Sequence, residues 1–591
     1  VSSANDTYLL LGAFVDELVR CGMRAACTSP GSRCAPLVLT LAREPRLRSY
    51  SHIDERSSAF FALGLAKAAG LPVAVTCTSG TAAAELLPAA VEAHHARVPL
   101  LLLTADRPPE LRETGAGQTI DQIKLFGAAA KWFFEVGTHE ATPERLRWMR
   151  TLACRAYWTA LEGGPGVVHL NFALREPLVS EAALPTASGG RRGGQPWLRR
   201  EPGTTDSVHA HERFAELVRN ARRGVLVAGR DERERRPESL GAAAATFGAT
   251  AGWPVLADPL SRGRRGLAAI AHYDLLLRSP AVARALAPDL VVRVGDLPTS
   301  KPLRGWLAGL HGARQIALDP EGAWQDPASV VGESVALDPA LALAHARGGA
   351  TGTTEPDWLA RWQGADAHAA GAVEAALQEA GLSEPSVARE LGSLLPERAT
   401  LFVASSMPVR DVEAFWPARE DPPRVLCNRG ANGIDGTVSS AFGAAAHGDG
   451  PVVLLIGDVA LAHDISALIC ARRLGLELTI VLLNNAGGSI FDFLPVAHAP
   501  LALEQHAYER HIATAPGLDF GAAAALYGLA YERVADLAAF RSAVRRALGS
   551  GGASIVEVPS ERSDNRALHE RIWREAAEAV SRLAAAAAPR A

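Results

Sequence analysis

Short apolar runs alternate with amphipathic stretches of helical period through most of the chain. The pattern predicts a helix over Thr7–Cys21, then a short strand ending at Thr28-Ser29-Pro30-Gly31-Ser32-Arg33. A helix, the polar run Ser51-His52-Ile53-Asp54-Glu55-Arg56 and a long helix from Ser57 to Ala69 follow. Strands are predicted over Val73–Ala82 and Leu100–Arg112, with another helix between them. Apolar runs at Gly224–Gly229, Pro254–Asp258, Leu290–Asp296 and Gln315–Asp319 read as strands of a second region, and Val452–Ile456 and Leu478–Leu483 as strands of a third. Strands alternating with helices in this way build mostly parallel, doubly wound sheets. The expected fold is α/β, in three such domains spanning 1–187, 205–350 and 357–575. Ser188–Pro202 (SGGRRGGQPWLRREP) and Gly348–Pro356, rich in Gly and without apolar period, are expected to link them, and the Ala-rich tail from Ala576 reads as helix.

The first and third regions resemble each other. Ser57-Ser58-Ala59-Phe60 heads a helix followed by the strand from Pro72 to Ser79-Gly80; Ser439-Ser440-Ala441-Phe442 heads a helix followed by the strand from Pro451 to Gly457-Asp458. Leu100 falls where Leu478 falls, and the offsets of 382, 379 and 378 residues need only small deletions. On this alignment Ser79 occupies the position of Asp458, so only the later copy carries a carboxylate there.

Composition narrows the class without deciding it. The 591 residues exceed what one core organises, and 48% hydrophobic with 21% charged content is that of a globular chain. A net charge of −4 gives no footing for nucleic acid or an anionic membrane surface, and no run suggests a membrane span. The first 22 residues lack a basic region, and Asp16-Glu17 interrupt their apolar run, so they read as helix rather than leader. Seven cysteines contain no C-x-x-C pair; Cys77, Cys427 and Cys470 lie in apolar patterns and read as buried thiols, which fits a cytoplasmic location.

The chemistry concentrates at Pro451–Pro495. Gly457-Asp458 ends one strand and Asn484-Asn485-Ala486-Gly487-Gly488 ends the next, with Asp458 and Asn485 27 residues apart, about one strand–helix–strand repeat. Open α/β sheets bind ligands at such strand ends, and a carboxylate, an amide oxygen and a glycine carbonyl form a partial oxygen shell for Mg²⁺. The same residues also read as a helix cap and a plain turn.

The segment from Gly457-Asp458 to Asn485 resembles the diphosphate-binding signature of thiamin diphosphate-dependent enzymes, departing from it at Val459, where many members have glycine. The order of blocks is similar to one branch in particular, which joins decarboxylated 2-oxoglutarate to isochorismate in menaquinone biosynthesis. Matching blocks are Thr28–Arg33, His52–Lys67, Thr78–Thr81, Leu103–Arg112, Gly115–Gln122, Arg429–Gly436 and Gly457–Phe491; the middle region matches mainly at Leu297–Trp306.

The resemblance implies thiamin diphosphate with Mg²⁺ (or Mn²⁺), the metal held by Asp458, Asn485 and the Gly487 carbonyl and the cofactor also by Gly457. It makes Glu55 the catalytic carboxylate, which hydrogen-bonds N1′ of the aminopyrimidine and so activates its 4′-amino group as a base. Read alone, Glu55 is a helix-N-terminal acid favoured by the dipole. Ile434 matches the apolar wedge that sets the cofactor's bent conformation, and Ile490 and Phe491 match residues lining the reaction cavity. Two dicarboxylate substrates call for cationic clamps, and the matching positions are Arg33, Arg107, Lys301, Arg410 and Arg429, with Ser32, Gln118 and Ser406. Pro302 stands where some members have a second basic residue. The family also implies a homo-oligomer, dimer or tetramer, with active sites between subunits. An acetolactate synthase-like carboligase would call for smaller, more apolar contacts. A catalytically silent paralogue would be expected to have lost Glu55 or Asp458, and both are present.

Overall fold

Three parallel sheets carry the chain. The computed structural model describes residues 3–179, 189–200, 207–231, 239–347 and 353–586. The first sheet comprises β1 (Ala25–Thr28), β2 (Arg48–Ser51), β3 (Val73–Cys77), β4 (Leu100–Asp106), β5 (Ala130–Glu135) and β6 (Val167–Ala173). The second comprises β7 (Gly224–Ala228), β8 (Val255–Ala257), β9 (Leu290–Val294), β10 (Arg314–Leu318) and β11 (Glu333–Val335). The third comprises β12 (Thr400–Val403), β13 (Arg424–Leu426), β14 (Val452–Gly457), β15 (Leu478–Asn484), β16 (Ala530–Arg533) and β17 (Ala553–Pro559).

The strand orders are β2-β1-β3-β4-β6-β5, β11-β10-β9-β7-β8 and β13-β12-β14-β15-β17-β16. The first and third are the same permutation, so the repeat seen in the sequence is a repeat of topology. In both, the strand at the repeat's key position (β3 or β14) lies between two parallel neighbours.

Two predicted strands are shorter than their apolar runs suggest. β3 stops at Cys77 because the chain turns at Gly80, with φ +89°, into a helix starting at Thr81. β4 stops at Asp106 because Pro108 and Pro109 lack the N–H that a ladder needs; a 3₁₀ turn over Pro109–Leu111 follows.

Packing contacts group the residues into two compact units, one of Val1–Gly203, Asn428–Gly448 and His463–Leu478, the other of Thr204–Cys427, Asp449–Ala462 and Thr479–Ala591. The first is organised by two helix pairs. The Ala4–Cys21 helix, opened by a Ser3/Asp6 capping box, packs with Pro143–Leu161 over a core containing Phe14, Leu18, Leu101, Leu103, Tyr157 and Phe172. The second pair, Glu55–Ala69 against Thr437–His447, explains why residues 428–448 belong with this unit. A Cβ on Gly64 would stand 1.9 Å from the Ser440 carbonyl oxygen, and one on Gly443 would stand 2.0 Å from that of Phe61. Only glycine permits so close an approach of two helix backbones. Gly436, at φ +59°, meets the Phe60 ring in the same way.

Residues 189–200 of the expected first linker are strapped down. Arg20 donates to the carbonyls of Arg191 and Gln195 at 2.9 and 3.3 Å, and the Trp197 N–H donates to the buried Glu17 carboxylate. Beneath it Cys21 and Cys154 lie with sulfurs 3.6 Å apart; all seven cysteines are free thiols. Of the second expected linker, 348–352 lies outside the described residues. In the second unit the Arg562–Ala586 helix packs on Trp358–Ala380, burying Trp358, Trp362, Leu568 and Ile572.

Candidate active site

In the first unit Glu55 is the first residue of the Glu55–Ala69 helix. Asp54 is the cap, its Oδ1 accepting the Ser57 N–H at 3.1 Å, so capping leaves the Glu55 carboxylate uncommitted. Among the described residues, that carboxylate bonds only to its own backbone N–H. Burial raises its pKa, and the negative charges of Asp54 and Glu85 add to the effect. A carboxyl group with raised proton affinity, held only by its own backbone N–H, suits proton sharing with a ligand.

Two of the predicted substrate residues, Arg107 and Gln118, meet around Ser79. Arg107 Nη1 donates to Ser79 Oγ and, at 2.9 Å, to the Gln118 carbonyl, while Gln118 Nε2 donates to the Ser79 carbonyl at 3.0 Å. Gln118 adopts φ +58°, and Gly80 N–H binds Gln122 Oε1 at 3.0 Å, pinning the loop. Arg33 is buried and donates to the Leu174 carbonyl at 2.9 Å and to Glu176 at 3.1 Å, with its Nε unpartnered. Desolvation and then the positive charge of Arg33 lower the Arg107 pKa, which places the two guanidinium groups in one field. Ser32, next to Arg33 in sequence, is exposed.

The loop carrying Arg429 and Ile434, both half-buried, belongs to this unit too. Sequence reasoning missed what holds it: Glu92 accepts the N–H groups of Gly430 and Ala431 at 2.8 and 2.6 Å. A cavity of about 310 Å³ opens beside the loop, lined by Phe60, Leu87, Val91, Glu92, Ala431 and Asp435 among others.

In the second unit the ends of β14 and β15 lie side by side, with Gly457 in register with Leu483. Asp458, buried immediately after β14, accepts Val459 N–H through Oδ1 and Gly487 N–H through Oδ2, each at 2.8 Å. Burial pushes its pKa up to about 6 against those two donors. Asn485 is buried; its Nδ2 donates to Glu384 Oε1 at 2.7 Å, while its Oδ1 has no partner. Gly487 is held at φ +142°, where a Cβ would press to 2.9 Å from the Ala513 carbonyl.

The buried Asp458 carboxylate, the orphaned Asn485 amide oxygen and the glycine loop form an all-oxygen donor set. That set fits a hard divalent cation. Ile490 and Phe491 follow directly in a 3₁₀ turn over Ser489–Phe493, half-buried. Ser406, at φ +74°, heads the Met407–Phe415 helix and its carbonyl accepts from Arg410 Nη1. Lys301 is exposed at the start of the Lys301–Gly309 helix, and among the described residues no hydrogen bond or ion pair joins it to the others.

The twin sheets, with an oxygen-donor cluster at the strand ends of one copy and an uncommitted helix-terminal glutamate in the other, are the features of a thiamin diphosphate-dependent enzyme. Accordingly, residues 11–125 match the thiamine pyrophosphate enzyme N-terminal TPP binding domain, 191–403 the middle domain of thiamine pyrophosphate, and 408–558 the C-terminal TPP binding domain.

Full-length likeness goes further. The chain is 42% identical to the 2-succinyl-5-enolpyruvyl-6-hydroxy-3-cyclohexene-1-carboxylate synthase of Geobacillus kaustophilus, over 96% of this chain and 98% of that one. Enzymes of the same name from Rubrobacter xylanophilus (41%, covering 95% and 97%) and Chloroflexus aurantiacus (40%, covering 95% of each) are similarly close. The chain belongs to the 2-succinyl-5-enolpyruvyl-6-hydroxy-3-cyclohexene-1-carboxylate synthase family of thiamin diphosphate-dependent enzymes. Among the described residues no helix is long and apolar enough to cross a membrane.

Proposed function

We propose that the protein decarboxylates 2-oxoglutarate and adds the four-carbon remainder 1,4 to isochorismate, giving 2-succinyl-5-enolpyruvyl-6-hydroxy-3-cyclohexene-1-carboxylate in menaquinone biosynthesis. When bound, thiamin diphosphate supplies a carbon nucleophile and an electron sink for the 2-oxo acid. Asp458, Asn485 and the Gly487 carbonyl hold Mg²⁺ or Mn²⁺ and, with Gly457, anchor the diphosphate. The observation that carries this reading is the Asn485 oxygen, buried and without a partner, two residues before the Gly487 N–H that Asp458 accepts.

Glu55 moves a proton at the aminopyrimidine N1′, and burial, by raising its pKa, strengthens its hold on that proton. Ile434 would support the bound cofactor from its loop, while Ile490 and Phe491 would exclude water from the reacting carbons. Arg33, Arg107, Arg429, Arg410 and Lys301, with Ser32, Gln118 and Ser406, receive the substrate carboxylates. Each charge-assisted hydrogen bond is worth about 1.5–3 kcal/mol. The protein acts in the cytoplasm as a dimer or tetramer with each site built by two chains; its domains are 1–187, 205–350 and 357–575.

The test mixes the protein with thiamin diphosphate, Mg²⁺ and 2-oxoglutarate, with and without isochorismate, and follows CO₂ release and the isochorismate absorbance. Loss of isochorismate that depends on 2-oxoglutarate is expected. Turnover of pyruvate in its place would sink the reading.

A further inference from the structure

We infer that Glu384 is a positioning residue that turns the Asn485 side chain so that its oxygen, and not its nitrogen, faces the metal. This inference rests on the metal reading of the Asp458–Asn485–Gly487 cluster.

The two ends of an asparagine amide are nearly identical in shape but opposite in charge, and only a hydrogen-bond partner decides which end points where. Here the partner is unambiguous. Glu384 Oε1 receives Asn485 Nδ2 at 2.7 Å and Ser560 Oγ at 2.9 Å, so that oxygen acts only as an acceptor. With the nitrogen held there, Oδ1 must point the other way, and it is the atom left without a partner. A flipped amide would place two N–H groups toward the cation and set the oxygen against a carboxylate.

Glu384 is itself fixed. It is 1% exposed and opens the Glu384–Leu394 helix, whose cap, Ser383, exchanges hydrogen bonds with Ser386. Ser560 is fixed to the same strand end, its N–H donating to the Asn484 carbonyl at 3.0 Å. A glutamate that served only to start a helix would face solvent, where its charge meets the dipole at little cost. Burying it is expensive unless its hydrogen bonds do something the fold needs.

The test measures Mn²⁺ retention by the full-length protein with saturating thiamin diphosphate, from the electron paramagnetic resonance signal of free Mn²⁺. Loss of a partner that orients a metal ligand lowers metal affinity by roughly 10–100-fold, and E384L is expected to fall in that range. E384Q, whose amide oxygen can accept from both donors, is expected to stay within about threefold of wild type. In N485D either carboxylate oxygen serves the metal, so N485D/E384L is expected to recover the affinity that E384L loses. A purely structural role would not produce that rescue. If E384L is not recovered folded, E384M, a flexible chain of similar volume, replaces it in both variants.

E384L retaining Mn²⁺ within about twofold of wild type, while D458A and N485A lose it, would overturn the role of Glu384 and leave the metal reading standing. Failure of the double variant to recover would do the same. If D458A and N485A also retain Mn²⁺, the metal reading fails and the positioning role falls with it.

Discussion

Lys67 and Glu92 face each other across 3.5 Å in the interior of the first unit, with side chains 0% and 4% exposed. The same Glu92 carboxylate holds Gly430 and Ala431 by their N–H groups. One buried ion pair therefore ties the Glu55–Ala69 helix to the loop that carries Arg429 and Ile434. Glu92→Ala takes the carboxylate from Lys67 and two backbone donors at once, and removing one partner of a buried pair costs about 3–5 kcal/mol. The urea midpoint is expected to fall accordingly, and Lys67→Met with Glu92→Gln to recover part of the loss. A midpoint within error of wild type for Glu92→Ala would show that the pair is not structural.

The glycine crossing gives a second expectation. Gly64→Ala must push the Ser440 backbone aside, and overpacking of this kind costs typically 1–3 kcal/mol, here at the upper end because the obstacle is main chain. Gly371, exposed within the Trp358–Ala380 helix with open space about its Cβ position, is the control: Gly371→Ala is expected to stabilise by about 0.5–1 kcal/mol. Equal thermal shifts for the two would remove the packing argument.

These two sites show what the sequence makes legible. The apolar runs of β3, β4, β14 and β15 are buried strands and read as such, and the Ser57–Phe60 and Ser439–Phe442 repeat exposes the shared topology. Asp458 and Asn485 stand out because a β-α-β unit places them at adjacent strand ends. Glu384 and Glu92 do not stand out. In Ser383-Glu384-Pro385-Ser386 a glutamate looks like an exposed helix start, and in Val91-Glu92-Ala93 like a surface helical position. Their burial is imposed by partners 101 and 338 residues away, which no local pattern encodes.

Asp464 provides a pH prediction away from the metal cluster. It is fully buried, accepts Ser439 N–H and Oγ at 2.7 and 3.1 Å and lies 3.7 Å from Arg56. Burial pushes its pKa from 3.8 up to about 6, partly offset by the Ser439 bonds and Arg56 and reinforced by Asp54. The folded state thus holds this proton more tightly than the unfolded chain does. Its contribution to stability is full below about pH 4 and is lost as pH rises through 6, roughly 3 kcal/mol in all. His52 and His169, pushed by burial from 6.5 down to about 4 and about 3, act with the opposite sign, so the wild type changes less than any one group. Asp464→Asn is therefore expected to gain stability relative to wild type between pH 4 and 7. A pH-independent difference in urea midpoints would count against the assignment.

Arg410→Ala tests the substrate clamp. Arg410 is exposed on the Met407–Phe415 helix and bonded to the Ser406 carbonyl, so its loss does little to the core. Removing one charge-assisted contact of about 1.5–3 kcal/mol corresponds to roughly a 10–150-fold rise in KM for a dicarboxylate. Thiamin diphosphate affinity is expected to stay within about twofold. Equal effects on cofactor and substrate would make the arginine structural.

Glu55→Gln separates chemistry from binding. The Glu55 side chain caps nothing, since Asp54 already serves Ser57, and among the described residues it has no charged partner to strand. The isosteric amide is therefore expected to leave the melting temperature and thiamin diphosphate affinity close to wild type. What it removes is an acid that burial and the nearby Asp54 and Glu85 keep poised to share its proton. Positioned acid–base groups contribute about 10²–10⁴-fold, and kcat is expected to fall within that range. Exchange of the cofactor's C2 proton for deuterium, read by quenched-flow NMR without substrate, is expected to slow in parallel. That readout isolates the proton-transfer role, because clamps for the dicarboxylates play no part in it. Exchange at the wild-type rate in a variant that has lost turnover would move the role of Glu55 from the cofactor to the substrate.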